Sequence, residues 1–275
     1  MNHHDGTEVD VLAVVGAVVA VLAVLGYAAL VVRARDRGRA WPVARSVVWV
    51  VGCLLAVAAV TGPLRHAAMT SWTAHMAGHV LLGMLAPLLL VLGAPVTLLL
   101  RALAAASGRR LVRLLRSRPL RVLTEPAVAA LLDVGGLWLV YGTPLLGLAH
   151  VYPALEVLVH AHVLLAGYLF TAVLVGPDPL PHRRGTRHLL VVLVLALAAH
   201  DVLAKRLYAL AGGPDLLDEQ RGALVMYYGG DAVDLALAVL VCARWYRRTR
   251  PRGVGSGQRQ LDLERPRTRP EGVLG

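Results

Sequence analysis

The chain has 275 residues, of which 57% are hydrophobic and only 16% charged, with a formal net charge of +11. An average soluble domain carries roughly 25% charged residues, so together with a mean hydropathy of +0.63 the composition excludes a water-soluble globular domain and predicts an integral membrane protein. The excess of arginine sits between apolar runs, which makes nucleic-acid binding an unnecessary explanation for a basic chain.

Crossing a hydrocarbon core of about 30 Å takes about 20 helical residues, and seven runs are long enough. They lie near 9–32, 42–62, 73–100, 126–148, 153–175, 187–211 and 223–244, numbered here as spans 1 to 7. None shows the ten-residue alternation of a barrel strand, and in lipid each backbone amide must be satisfied within its own helix. The expectation is an all-α, polytopic seven-helix bundle, a membrane domain over 1–248 followed by a tail over 249–275.

Span 1 follows Asp5, Glu8 and Asp10 rather than a basic cluster, so it reads as a retained anchor and not a cleaved signal peptide. Behind it come Arg33, Arg35, Arg37, Arg39 and Arg45. Span 2 holds Cys53; Arg65, His66 and Met69 follow it. Span 3 opens with His75 and His79 and carries Pro87 and Pro95 in its second half, where each removes a backbone hydrogen bond and bends or ends the helix. Arg101, Arg109, Arg110, Arg113, Arg116, Arg118 and Arg121 separate it from span 4.

Span 4 contains Asp133 and leads to His150. Span 5 contains Glu156, His160 and His162, and Arg183, Arg184 and Arg187 connect it to span 6. His200 and Asp201 fall near the middle of span 6, while span 7 begins with Met226 and continues through Asp231, Asp234 and Cys242. The alternation of arginine-rich and arginine-poor connections predicts an outside N-terminus and a cytoplasmic C-terminus by the positive-inside rule. The arginines should also favour an anionic leaflet. The tail, rich in Pro, Gly and Arg, cannot bury enough apolar area to order itself and is expected to be a disordered basic cytoplasmic segment. Cys53 and Cys242 make no CxxC pair and read as small buried residues.

Ionisable groups inside a membrane span are costly and by default functional candidates. His75 and His79 share one helical face, with His79 about 6 Å deeper, and Glu156 and His160 repeat that spacing in span 5. Most of these groups fall in the outer half of the bundle. Imidazoles and thioethers converging there suit Cu(I), which accepts Met sulfur and His nitrogen at low coordination number, whereas a structural zinc site would use four ligands with cysteines among them. The competing reading is hydrogen-bonded helix packing, and for Glu156 with His160 a buried pair that holds spans together. Met84 reads as a packing or lipid-facing residue, and the prolines of span 3 as a hinge, a docking face or an ordinary kink.

HMxxH at 75–79 followed by APLLLVLGAPVTLLLRAL at 86–103 resembles the signature of the seven-span CtaG-type cytochrome c oxidase assembly factors. His160 with the glycine of GYLF at 167–170, GPDP at 176–179, the histidine of AAHDVL and DEQRGALVMYYGG at 218–230 fall in the same order. The resemblance covers roughly 40–245, with departures. Asp218-Glu219 stands where the family has Asp-Gln, Tyr227 where it has Trp, and Lys205 and Arg206 are unusual.

The resemblance implies a non-enzymatic, multi-pass factor of a bacterial plasma membrane. It would assemble haem-copper oxidase by handling Cu(I) at the outer face, with oxidase subunits as partners, and carried over by position the metal residues are His75, His79, His160, His200 and Met226. Three other readings stay open. A membrane cytochrome could use His79 with His160 or His200 as axial haem ligands. A transporter or proton pathway could use Asp133, Asp201, Asp231 and Asp234, although no internal repeat supports it. A scaffold could bind no metal at all. No glycine-rich phosphate loop or nucleophile elbow points to an enzyme.

Overall fold

The computed structural model describes residues 11–178 and 184–249, with the side chain of Arg248 left aside. Asp5, Glu8, Asp10, Arg183 and all of the basic tail but Thr249 therefore lie outside the described residues. Among the described residues the fold is helical without strands. Six helices are long and apolar enough to cross a membrane: Val11–Asp36, Val43–Ala68, Trp72–Ala102, Pro153–Val175, Thr186–Leu210 and Leu216–Arg247. Counting the bent pair Pro126–Gly142 and Leu145–Val151 as one span gives seven.

That pair marks a difference from the expected fourth span. The helix stops at Gly142, and the chain turns by 77° into Leu145–Val151. The reason is local, since Gly-Thr-Pro follows Tyr141, and a residue before proline is driven out of the helical region. Span 7 is longer than expected and starts at Leu216; its polar first turns are helical because they cap a neighbour, as described below.

Span 3 is where sequence and backbone negotiate most visibly. It runs as α-helix over Trp72–Val80, as π-helix over Leu81–Leu85, and again as α-helix over Ala86–Leu92. Pro87 has no N–H to donate to the residue four back. The chain resolves this by widening one turn, so that Ala86 N–H donates to Leu81 O, five residues back. The true break comes at Gly93-Ala94, where Ala94 takes φ 52° before Pro95 starts a last helix to Ala102. A second π segment, Leu131–Gly135, interrupts span 4. There His162 of span 5 reaches across, and its Nε2–H donates to the carbonyl of Leu132 at 3.0 Å.

Helices pack closely where glycines allow it, as is usual in lipid. A Cβ on Gly167 would overlap the carbonyl oxygen of Gly83, so spans 3 and 5 meet backbone to backbone beside the first π segment. The apolar core joins spans 3 to 7 around Leu88, Phe170, Leu174, Leu193 and Leu237.

The arginine-rich connections gather at one end of the bundle. Arg39 donates to the carbonyl of Arg101 at 2.9 Å, and Arg101 to that of Ala40 at 3.0 Å. Arg184 pairs with Glu125 at 2.7 Å, and Arg244 donates to Gly176 O at 3.2 Å. Asp178, from GPDP, accepts from Val96 N–H and Thr97 N–H at 3.1 and 2.7 Å. It thereby caps the helix that restarts at Pro95, where orphan amides need an acceptor.

Candidate metal centre

The opposite end of span 3 carries the first candidate ligands, and a second distant carboxylate fixes it. Asp218 of span 7 accepts from Ser71 Oγ at 3.0 Å and from Trp72 N–H at 2.5 Å, while Thr73 Oγ1 donates to its main-chain oxygen at 3.1 Å. The start of the histidine helix is thus bolted to the start of span 7. Trp72 then stacks on His75, ring centroids 5.1 Å apart, which locks the imidazole's orientation.

From that anchor His75 and His79 point into a cavity of about 50 Å³, which His150 and His160 also line. A water needs about 10–15 Å³, so the space suits an ion or a few waters. His75 Nε2 lies 3.2 Å from Tyr141 Oη and its ring 6.2 Å from that of His150, an exposed residue at the mouth. Arg65 and Glu156 form an ion pair of 2.5 Å beside it, both largely shielded.

His160 Nδ1 lies 2.9 Å from the carbonyl of Glu156. A carbonyl only accepts, so Nδ1 carries the proton and the Nε2 lone pair is left for another partner, the usual arrangement of a histidine that binds metal. Glu156 spends its carboxylate on Arg65, and only its main chain meets His160.

His79 is 7% exposed and His200 is 3% exposed. Their rings face one another at 6.3 Å, inclined by 23°. Among the described residues His79 Nε2 and both ring nitrogens of His200 are buried without a hydrogen-bond partner. Such orphans are rare in folded proteins because desolvation is not repaid, and each needs an explanation. His79 also lines a second cavity of about 20 Å³, deeper in the bundle, shared with Met84, Asp133, His200 and Asp234.

Four of the five expected ligands therefore line two cavities that share His79 in their walls. Met226 does not: it is fully buried in an apolar cluster with Met76, Leu137 and Leu203, where its thioether packs behind the histidine helix. His66 and Met69 are exposed, and His162 is committed to Leu132 O. Sequence reasoning left His150 out of the ligand set and treated Met84 as a packing or lipid-facing residue. His150 approaches only because the chain bends after Gly142, a signal readable in Gly-Thr-Pro but not its consequence. Lys205 and Arg206 also find roles, over the Tyr227 ring at 5.1 Å and the Trp138 ring at 5.7 Å.

Among the described residues no three His, Cys, Asp or Glu side chains form a group that could hold a metal as placed. The donors of the outer chamber are imidazoles, and the deeper one adds the Met84 thioether and the carboxylates of Asp133 and Asp234, with no cysteine lining either cavity. The imidazoles and the thioether suit a soft ion of low coordination number rather than a zinc held by cysteines. Neither chamber has room for a porphyrin beside His79.

Residues 25–248 match the profile of a family described as cytochrome c oxidase caa3 assembly factor. A protein of Mycobacterium leprae is 40% identical over 176 residues, 62% of this chain and 27% of the relative. A protein of Mycobacterium bovis is 39% identical over 176 residues, 62% of this chain and 26% of the relative. The match thus spans about a quarter of the length of these relatives. No solved structure matches the chain.

Proposed function

Because the chain belongs to the cytochrome c oxidase caa3 assembly factor family, we propose that it holds Cu(I) in the histidine chamber and passes it to an oxidase subunit. Copper is the cargo of a non-catalytic factor in a bacterial plasma membrane. The observation that carries this reading is the buried Nε2 of His79, which has no hydrogen-bond partner among the described residues. His160, with its Nδ1–H bound to a carbonyl, adds an oriented Nε2 lone pair. His75, stacked on Trp72 at the chamber mouth, is the natural first contact for an ion arriving from outside.

The positive-inside rule supports the direction. The arginine-rich connections lie at the end remote from His75, so the chamber opens on the extracytoplasmic side. Low-coordinate imidazole sites exchange their ion more readily than thiolate cages, which suits a donor. Arg65 at the rim is held by Glu156, and the pair keeps the mouth polar without adding net charge.

The test is oxidase maturation under copper limitation. H75A/H79A is expected to lower copper-replete oxidase while the factor remains in the membrane at normal abundance, and full activity in that variant overturns the ligand assignment. Normal assembly in H75N/H79N, with assembly lost on altering the surface over Ala86–Leu100, would mark a scaffold without metal.

A further inference from the structure

Three features of the molecule stand outside the reading above: a lateral apolar groove, the arginine-rich helices Ala105–Leu115 and Arg118–Leu123, and the deeper chamber behind His79. The deeper chamber carries the argument furthest. It lies between the two π segments, and each contributes to its wall: Gly83 and Met84 from Leu81–Leu85, Asp133 and Val134 from Leu131–Gly135. π-Helical turns make up well under 1% of residues in globular proteins and cluster at functional sites. Two of them facing one small polar cavity in a membrane bundle is not what packing alone requires.

Asp234, 4% exposed, and Asp133 bring two carboxylates to a space whose other polar lining is His79 and His200. His200 is itself more than nine-tenths buried, lines the cavity, and has both ring nitrogens without a hydrogen-bond partner among the described residues. Span 7 makes room for it with Gly230, where a Cβ would collide with His200 Cε1. A glycine therefore stands against a buried imidazole whose ring nitrogens have no hydrogen-bond partner among the described residues.

The two chambers differ in charge. No carboxylate lines the outer one among the described residues, and Glu156 beside it is bound to Arg65, so a cation there meets imidazoles without a counter-charge. A cation moved into a low-dielectric interior is costly unless a counter-charge accompanies it. Asp133 and Asp234 supply that counter-charge one step deeper, and His79 lines both chambers.

We propose that the chamber of Met84, Asp133, His200 and Asp234 is a second, deeper binding station for the same soft monovalent cation, entered past His79. One carboxylate of the pair neutralises the ion while the other keeps its proton, and His79, His200 and the Met84 sulfur ligate it. This rests on the copper reading of the outer chamber. No bond is made or broken beyond exchange of ligands, and the ion keeps its oxidation state.

The experiment is Cu(I) titration of the purified full chain in lipid nanodiscs under a reductant, read by competition with a colorimetric Cu(I) chelator. Wild type is expected to bind Cu(I) in two steps. H75A/H160A should remove one step, and D133N/D234N the other. M84L, which keeps side-chain volume, should weaken the inner step by on the order of tenfold, and its loss there cannot be assigned to unfolding. Two steps of wild-type affinity in both D133N/D234N and M84L overturn the inner station and leave the outer one standing. A single step in wild type that H75A/H160A abolishes does the same. No Cu(I) bound by wild type overturns the copper reading itself, and the inner station with it.

Discussion

Spans 3 and 5 border two clefts of opposite character. On one side, with spans 4, 6 and 7 and the end of span 2 at Ala59, Arg65 and Ala68, lie the small chambers reached by His75, His79, His150, His160 and His200. On the other, against spans 1 and 2, lies a groove of about 190 Å³ lined by Leu12, Val15, Cys53, Val57 and Leu164. His160 and Leu82 touch both the groove and the outer chamber. The same two helices thus turn an apolar face to one partner set and an imidazole face to the other. Of these histidines only His160 also reaches the groove, and the other four line the chambers alone.

The sharpest way to break that comparison is to move the helices that separate the clefts. Gly167→Ala places a methyl on the Gly83 carbonyl, which is backbone and cannot swing away. It is expected to destabilise the bundle by about 1–3 kcal/mol, read as lost protein in the membrane and as earlier thermal unfolding in detergent. Both clefts should suffer together.

A smaller effect should fall on the polar side alone. Asp218→Ala strips Ser71 and the amides of Trp72 and Thr73 of their acceptor, a loss of about 0.5–2 kcal/mol for a helix cap. Because the cap orients the helix bearing His75 and His79, Cu(I) affinity should fall while spans 1 and 2 stay packed. Unchanged Cu(I) affinity in a destabilised Asp218→Ala protein would separate the cap from the site.

Smaller still are two substitutions that test which side chains the chamber uses. His160→Gln is expected to lower Cu(I) affinity without changing folding, whereas Cys53→Ala, in the groove, should leave affinity at the wild-type value in the same titration. A drop with Cys53→Ala would make the groove part of the site. Met226→Leu conserves volume, so stability should change by less than about 1.5 kcal/mol and Cu(I) binding not at all. Weakened binding there would return Met226 to the ligand set.

Much of this was legible in the linear chain. Seven apolar runs of sufficient length, interrupted by arginines at alternate connections, dictate a helical bundle, since lipid leaves the backbone no other way to satisfy its amides. The HMxxH spacing sets His75 and His79 on one face, and Pro87 announces a disturbance in span 3. The family, too, was readable from the motifs between 75 and 230. GPDP and the stretch from Asp218 were legible as motifs but not as helix caps, because a cap joins residues whose separation along the chain exceeds eighty positions.

Composition and periodicity determined the solvent this protein lives in, its helices and the arginine-rich connections that gather at one end, because those depend on transfer free energies and backbone geometry within single segments. Only the tertiary structure decided which histidines share a cavity: that depends on where span 4 bends, on π turns that rotate Met84 and Asp133 inward, and on glycines at 83, 167 and 230 that let helices close. Met226 and His162 have the right chemistry for ligands, and long-range packing commits them elsewhere.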